Sequence, residues 1–168
     1  MRFLSRPFVR RIVVAVILLF PAIPARAGDN PWERTTLKGI RQLAVLVEDV
    51  SPDMSQDGLT RSQIRTEVES RLRQSGITVV PSSPDLLYVR VGTWKVPGSP
   101  VYAVSITVEF RQQVSLVRDS TIPMASTATW GVDALGAFGS DRLREIRPHV
   151  IDNVDKFISA YLEQNPKQ

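Results

Sequence analysis

His149 is the single histidine of this 168-residue chain, and cysteine is absent. A serine or carboxylate relay would have to be built around that one ring, and a histidine-rich zinc site cannot be built at all. Thiol chemistry is excluded by the same composition. His149 follows Pro148 in an amphipathic stretch, where a surface or helix-end histidine is the plainer reading. Asp49, Asp53 and Asp57 invite comparison with a calcium loop, which needs acids at alternate positions and a later glutamate. Four-residue spacing in a turn-rich segment supplies neither and favours a solvated loop. Glu48, Asp49 and Glu109 do not define a glycosidase pair, because strand ends and a wetted sheet face explain them as well. No catalytic residue, metal ligand or cofactor is assigned, and a non-enzymatic role is the better reading.

Two arrangements point to binding. Gly131, Gly136 and Gly139 precede Ser140, Arg142 and Arg144, and free amides at a helix start can hold an anion. The phosphate-loop pattern asks for Lys and then Ser or Thr after its second glycine. Here Gly136 is followed by Ala137 and Phe138, so a nucleotide is not indicated. Gly136, Gly139, Ser140 and Arg142 remain an alternative anion or small-ligand site, and turn glycines with a helix cap explain them too. The second arrangement lies in the strand read at residues 86–95. If Leu87, Val89 and Val91 face inward, Tyr88, Arg90 and Trp94 share the opposite face. Two aromatics with an arginine are typical of contact surfaces.

The elements that position these residues follow from periodicity. Residues 40–50 alternate with both faces fairly apolar, as a central strand does. A polar loop is expected over residues 51–58. Leu59, Thr60, Gln63 and Ile64 then fit a hydrophobic staple and a capping box. The helix that begins there carries Ile64, Val68 and Leu72 as its buried stripe, and Glu67–Arg71 and Glu69–Arg73 are favourable pairs. Gly76 supplies a left-handed stop. Residues 77–80 form a short strand, which predicts a right-handed crossover with parallel pairing. Pro97 and Gly98 suit the centre of a type II turn, folding residues 86–95 back on 101–117. In the second arm Tyr102, Val104, Ile106, Val108 and Phe110 alternate with Ala103, Ser105, Thr107, Glu109 and Arg111. A last strand is read near residues 122–132.

A closing helix is expected after Ser140 as its cap, with Leu143, Ile146, Val150, Val154, Phe157 and Tyr161 along one side. Pro148 either kinks this helix or opens a second segment, and the kink is the favoured expectation. The result is an α+β fold in two layers. It has about five strands in a mixed sheet, in β-α-β-β-β-β-α order, with two helices on one face.

Location comes from residues 1–27. Arg2, Arg6, Arg10 and Arg11 precede an apolar run over residues 12–20, and then come Pro21, Pro24 and the triplet Ala25, Arg26, Ala27. That is the order of a cleavable signal peptide, cut after Ala27. Nine residues at about 1.5 Å each reach only about half of a hydrocarbon core of about 30 Å, which disfavours an uncut anchor. The residues around Arg10 and Arg11 fit the twin-arginine route poorly, so the general secretory route is expected. The leader also holds five arginines and no acid, leaving 16 basic against 17 acidic side chains in the remainder. The basic balance of the full chain is therefore an export feature, and a nucleic-acid binder is not expected. Without cysteine there is no lipid-bearing residue to tether the product. Residues 28–38 read as a short tether and 39–166 as a single domain, freely soluble in the periplasm.

Gly39, Ile40, Val45, Val47 and Glu48, then Asp57, Gly58, Leu59, Thr60, Val68, Glu69, Arg71, Leu72 and Arg73, then Thr129 and Trp130, and finally Val154, Asp155, Phe157, Ile158, Ala160, Tyr161 and Leu162 form a pattern across most of residues 37–166. In it the chain resembles a group of small, signal-bearing bacterial periplasmic proteins of uncharacterised function. The motifs are structural, so the resemblance implies export and fold and carries over no catalytic residue. The element order also resembles the front part of TolB, as a likeness of fold. The expectation is an envelope module that binds a partner protein or itself, with Tyr88, Arg90 and Trp94 as its surface. A small-ligand carrier or enzyme is the alternative.

Overall fold

The computed structural model describes residues 28–56 and 59–166, so the expected leader over residues 1–27 lies outside the described residues. The elements run α1 (Pro31–Thr35), β1 (Gln42–Val47), α2 (Pro52–Gln56), α3 (Arg61–Gln74), β2 (Thr78–Val79), β3 (Leu86–Lys95), β4 (Val101–Leu116), β5 (Asp119–Gly139), a 3-10 turn (Leu143–Glu145) and α4 (Ile146–Gln164). The five strands form one sheet in the order β2-β1-β3-β4-β5. β1 pairs in parallel with β2 and β3, and β3, β4 and β5 pair antiparallel. This is the mixed α+β sheet that the periodicity predicted.

One core holds the layers together. The inward row Leu87, Val89 and Val91 of β3 continues into Val104, Ile106, Val108 and Phe110 of β4 and Trp130 and Val132 of β5. Against it lie Ile64, Val68 and Leu72 of α3 and Val150, Val154, Phe157 and Tyr161 of α4. Phe157 is the hub, stacked on Phe110 with centroids 5.8 Å apart and edge-on to Trp130 at 5.3 Å. Burying such rings is worth about 1.5–3 kcal/mol each relative to exposure, and this burial fixes which sheet face is dry.

Local chemistry sets the element ends. The Thr60 side chain accepts from the Gln63 amide while Gln63 reaches back to the Thr60 N–H, so α3 opens with the predicted capping box. Gly76, at φ +85°, takes the left-handed position past its end. The turn between β3 and β4 is closed by Ser99 N–H donating to the Val96 carbonyl at 3.1 Å, with Gly98 at φ +71°. That positive φ at the third residue is what a type II turn requires.

Several expectations are corrected. Residues 28–38, expected as a short tether, contain α1, capped by Asn30, and a fully buried Leu37. The segment expected as a polar loop contains α2, because Met54 turns into the core with no exposed surface. Glu67 pairs with Arg147 and Arg71 with Asp155, so these side chains join α3 to α4 and do not pair with each other along α3. Ser140 is not the cap of the last helix: Arg142 precedes the 3-10 turn and Glu145 precedes the helix, while the Ser140 amide donates to the Pro100 carbonyl at 2.8 Å. α4 begins at Ile146 after the 3-10 turn, which places Pro148 in its first turn. A missing N–H costs nothing there, and no interior kink is needed.

Candidate interaction surface

The face of the sheet away from the helices carries the alternate residues of β3, β4 and β5. Register fixes them in rows of three: Trp94, Ala103 and Ala137; Gly92, Ser105 and Leu135; Arg90, Thr107 and Asp133; Tyr88, Glu109 and Gly131. Directly paired residues of an antiparallel ladder project to the same side, so each row is a set of neighbours. Strands about 4.8 Å apart make each row roughly 10 Å wide.

The two ends of this face differ. At one end the Tyr88 phenol donates to Glu48, and the Arg111 guanidinium lies 3.6 Å from the centre of the Tyr88 ring. Glu48 also meets Arg90 at 3.4 Å, and Arg111 meets Glu109 at 2.8 Å. Burial, with the Glu48 carboxylate that it donates to, holds the Tyr88 phenol above its ordinary value. Tyr88 is only 6% exposed. It lies on the face predicted for it but is sealed by its own neighbours, so of the expected patch Tyr88 is a packed residue and Arg90 and Trp94 are the accessible ones. At the other end Trp94 is 69% exposed and Leu135 is 86% exposed. They stand on β3 and β5, on either side of β4, above a floor of Gly92, Ala103, Ser105 and Ala137.

Leu135 escaped the sequence reading because the glycines around it marked a loop. Yet Asp133, Leu135 and Ala137 alternate with Ala134, Gly136 and Phe138, the same two-residue period that identified β4. The period was the available signal, and the low strand propensity of Ala and Gly masked it.

The alternative anion site does not assemble as expected. Gly136 and Gly139 are strand residues paired with Val104 and Val101, so no glycine loop precedes the helix. Arg142 is engaged by Glu145, with Nε to Oε1 at 2.7 Å and Nη2 to Oε2 at 2.5 Å. That hydrogen bond raises the Arg142 pKa and holds its charge on the protein's own carboxylate.

Other candidates lie apart from one another. His149 is exposed near the start of α4, with Nδ1 3.6 Å from Asp152 and its ring 5.5 Å from that of Phe138. Asp53 accepts from the Tyr102 hydroxyl at 2.9 Å and Asp49 faces Arg61 at 3.1 Å, while Asp57 lies outside the described residues. Among the described residues no three His, Cys, Asp or Glu side chains gather as metal ligands. An open groove of about 670 Å³ runs between α3 and α4, bordered by Ser62, Thr66, Glu67, Arg71 and Arg147. Both arginines are committed across it, Arg71 to Asp155 and Arg147 to Glu67. No helix of the described residues is long and apolar enough to cross a membrane.

No protein-family model matches the chain, and no curated protein matches it. Among solved structures it is similar to the PelC dodecamer from Paraburkholderia phytofirmans, at 13% identity and a TM-score of 0.44, over 79% of this chain and 94% of that one. A variant of that dodecamer gives 15% identity and 0.41, over 79% and 93%. A minor lipoprotein from Acinetobacter baumannii gives 14% and 0.29, over 74% and 89%. Scores this low carry no argument about what the chain does.

Proposed function

We propose that the chain is an exported protein of the bacterial cell envelope that works by binding other protein surfaces, and that the open face of its sheet does the binding. The order of basic, apolar and small residues over 1–27 supports export. One observation carries the rest: Trp94 and Leu135 stand largely exposed on a sheet face floored with small residues. An open sheet face is ordinarily polar, and large apolar side chains on a smooth floor are the usual make-up of a contact surface. Arg71 and Arg147 are engaged between the helices, and Glu48 and Arg111 seal Tyr88 at the far end of the sheet, so the Trp94 and Leu135 end is left uncovered by the chain's own charges.

The test uses the chain expressed with its leader in a bacterial host. Fractionation should place it in the periplasm, shortened by about the length of residues 1–27. Crosslinking in the envelope, followed by mass spectrometry, should give adducts that Trp94→Ser with Leu135→Ser removes, with thermal unfolding within about 2 °C of the parent. Crosslinks indifferent to both substitutions would reject the face, and retention in the cytoplasm would reject the location.

A further inference from the structure

The open face is complementary to itself. Consider a second copy laid on it about a two-fold axis parallel to β4, with the sheets about 10 Å apart as in aligned sandwiches. That rotation keeps each row opposite the same row and exchanges its β3 and β5 ends. Trp94 of one copy then lies over Ala137 of the other, and Leu135 over the low ground of Gly92 and Ser105. Arg90 lies over Asp133, and each contact occurs twice. Down the centre Ala103, Ser105 and Thr107 meet their own counterparts, all small and uncharged. In three successive rows, large faces small or positive faces negative.

We propose that the mature chain forms a two-fold dimer in which these two open faces pack as a β-sandwich. This rests on the open-face reading and names the occupant as a second copy. The charge pairing commits to that occupant, because Arg90 and Asp133 occupy opposite ends of one row about β4. Thr107 steadies the Asp133 carboxylate, donating its hydroxyl at 2.6 Å, and Arg90 keeps 59% of its side chain exposed while it touches Glu48. A two-fold contact is self-complementary by construction and is the commonest closed assembly. Glu109, which would approach its own copy at the next row, is already neutralised by Arg111.

The experiment measures self-association of the mature chain by sedimentation equilibrium, with thermal unfolding as the fold control. The parent should be a dimer that Leu135→Arg converts to monomer. Arg90→Asp places like charges together at two contacts, and so does Asp133→Arg. Each should weaken dimerisation about tenfold or more, since like charges juxtaposed in an interface are strongly unfavourable. The double reversal should restore it. The two single variants, each poorly associated alone, should form a one-to-one complex when mixed, because the introduced carboxylate of one would then face the introduced guanidinium of the other. If Leu135→Arg abolishes association but neither the double reversal nor mixing restores it, the two-fold register is overturned and the open-face reading stands. A dimer or larger oligomer unaffected by all these changes overturns both. A parent that is monomeric at every concentration overturns the dimer and leaves the face to a foreign partner.

Discussion

Asp29 should be worth more to this fold than its place next to the expected cleavage point implies. Its carboxylate accepts from Trp130 Nε1 at 2.9 Å and from Arg34 Nε and Nη2 at 2.7 Å each. Trp130 is buried at 1% exposure, so removing the acceptor strands an indole N–H away from water, which costs about 1–3 kcal/mol. Asp29 also sits at φ +57°, a conformation that disfavours alanine by about 1 kcal/mol and that Asp and Asn tolerate better. Arg34 keeps Glu163 and some solvent, so its loss adds only a few tenths of a kcal/mol. Asp29→Ala should therefore cost about 3 kcal/mol and lower Tm by about 10 °C, whereas Asp29→Asn should cost about 1 kcal/mol. Burial pushes the carboxyl up, but hydrogen bonds from Arg34 and Trp130, with the charges of Arg34 and Lys156, outweigh it and hold the group below its ordinary 3.8. A depressed folded pKa gives stability that is complete above the unfolded value and lost as pH falls through the folded one. The gap between parent and Asp29→Asn should thus be full at pH 7 and close below pH 3.8. Melting followed by circular dichroism at neutral and acid pH reads both effects. Equal melting of parent and Asp29→Ala at pH 7, or an Asn gap that widens in acid, would refute the reasoning.

Two further substitutions test the helices. Asn153 is buried in α4 with its Nδ2 unpaired among the described residues, so Asn153→Leu, of similar volume, should raise stability by about 1 kcal/mol, read as a higher urea midpoint. Thr60→Ala removes the acceptor that caps α3 and should lower that midpoint by the equivalent of about 1 kcal/mol, with the slope unchanged.

Where local rules and tertiary packing agreed, the fold could be read before it was seen. Thr60 with Gln63, the stripe Ile64, Val68 and Leu72, and Gly76 agree on one helix, and each is satisfied within a few residues of chain. The Pro97 and Gly98 turn and the alternation of β4 are legible for the same reason. The second half of β5 is not local. Ala134, Gly136 and Gly139 have poor strand propensity and become strand because the inner edge of β4 offers them hydrogen-bond partners. Residues 28–38 lack periodicity, yet they are held by contacts far along the chain: Asp29 to Trp130, Arg34 to Glu163 and Leu37 to Asn165. The candidate patch was partly legible. Alternation put Tyr88, Arg90 and Trp94 on one face, but nothing local showed that Arg111, from the neighbouring strand, covers Tyr88.

The composition of the open face bears on its use. A solvated strand face ordinarily gains from Thr, Val or aromatic residues, and Ala and Gly there forgo up to about 1 kcal/mol each. Here Gly92, Ala103 and Ala137 cluster in the two rows that also carry Trp94 and Leu135. A Cβ at Gly92 would come within 2.6 Å of Ser105 Oγ alone, the end of a side chain that can turn aside. At the Tyr88 end, by contrast, the same sheet is roofed by Arg111, Glu48 and Arg90, so the chain has the means to cover an aromatic with its own charges. It does not do so at Trp94. On the proposed reading, a second surface would complete the layer at this end and offset the cost of an unroofed tryptophan over a floor of poor strand formers.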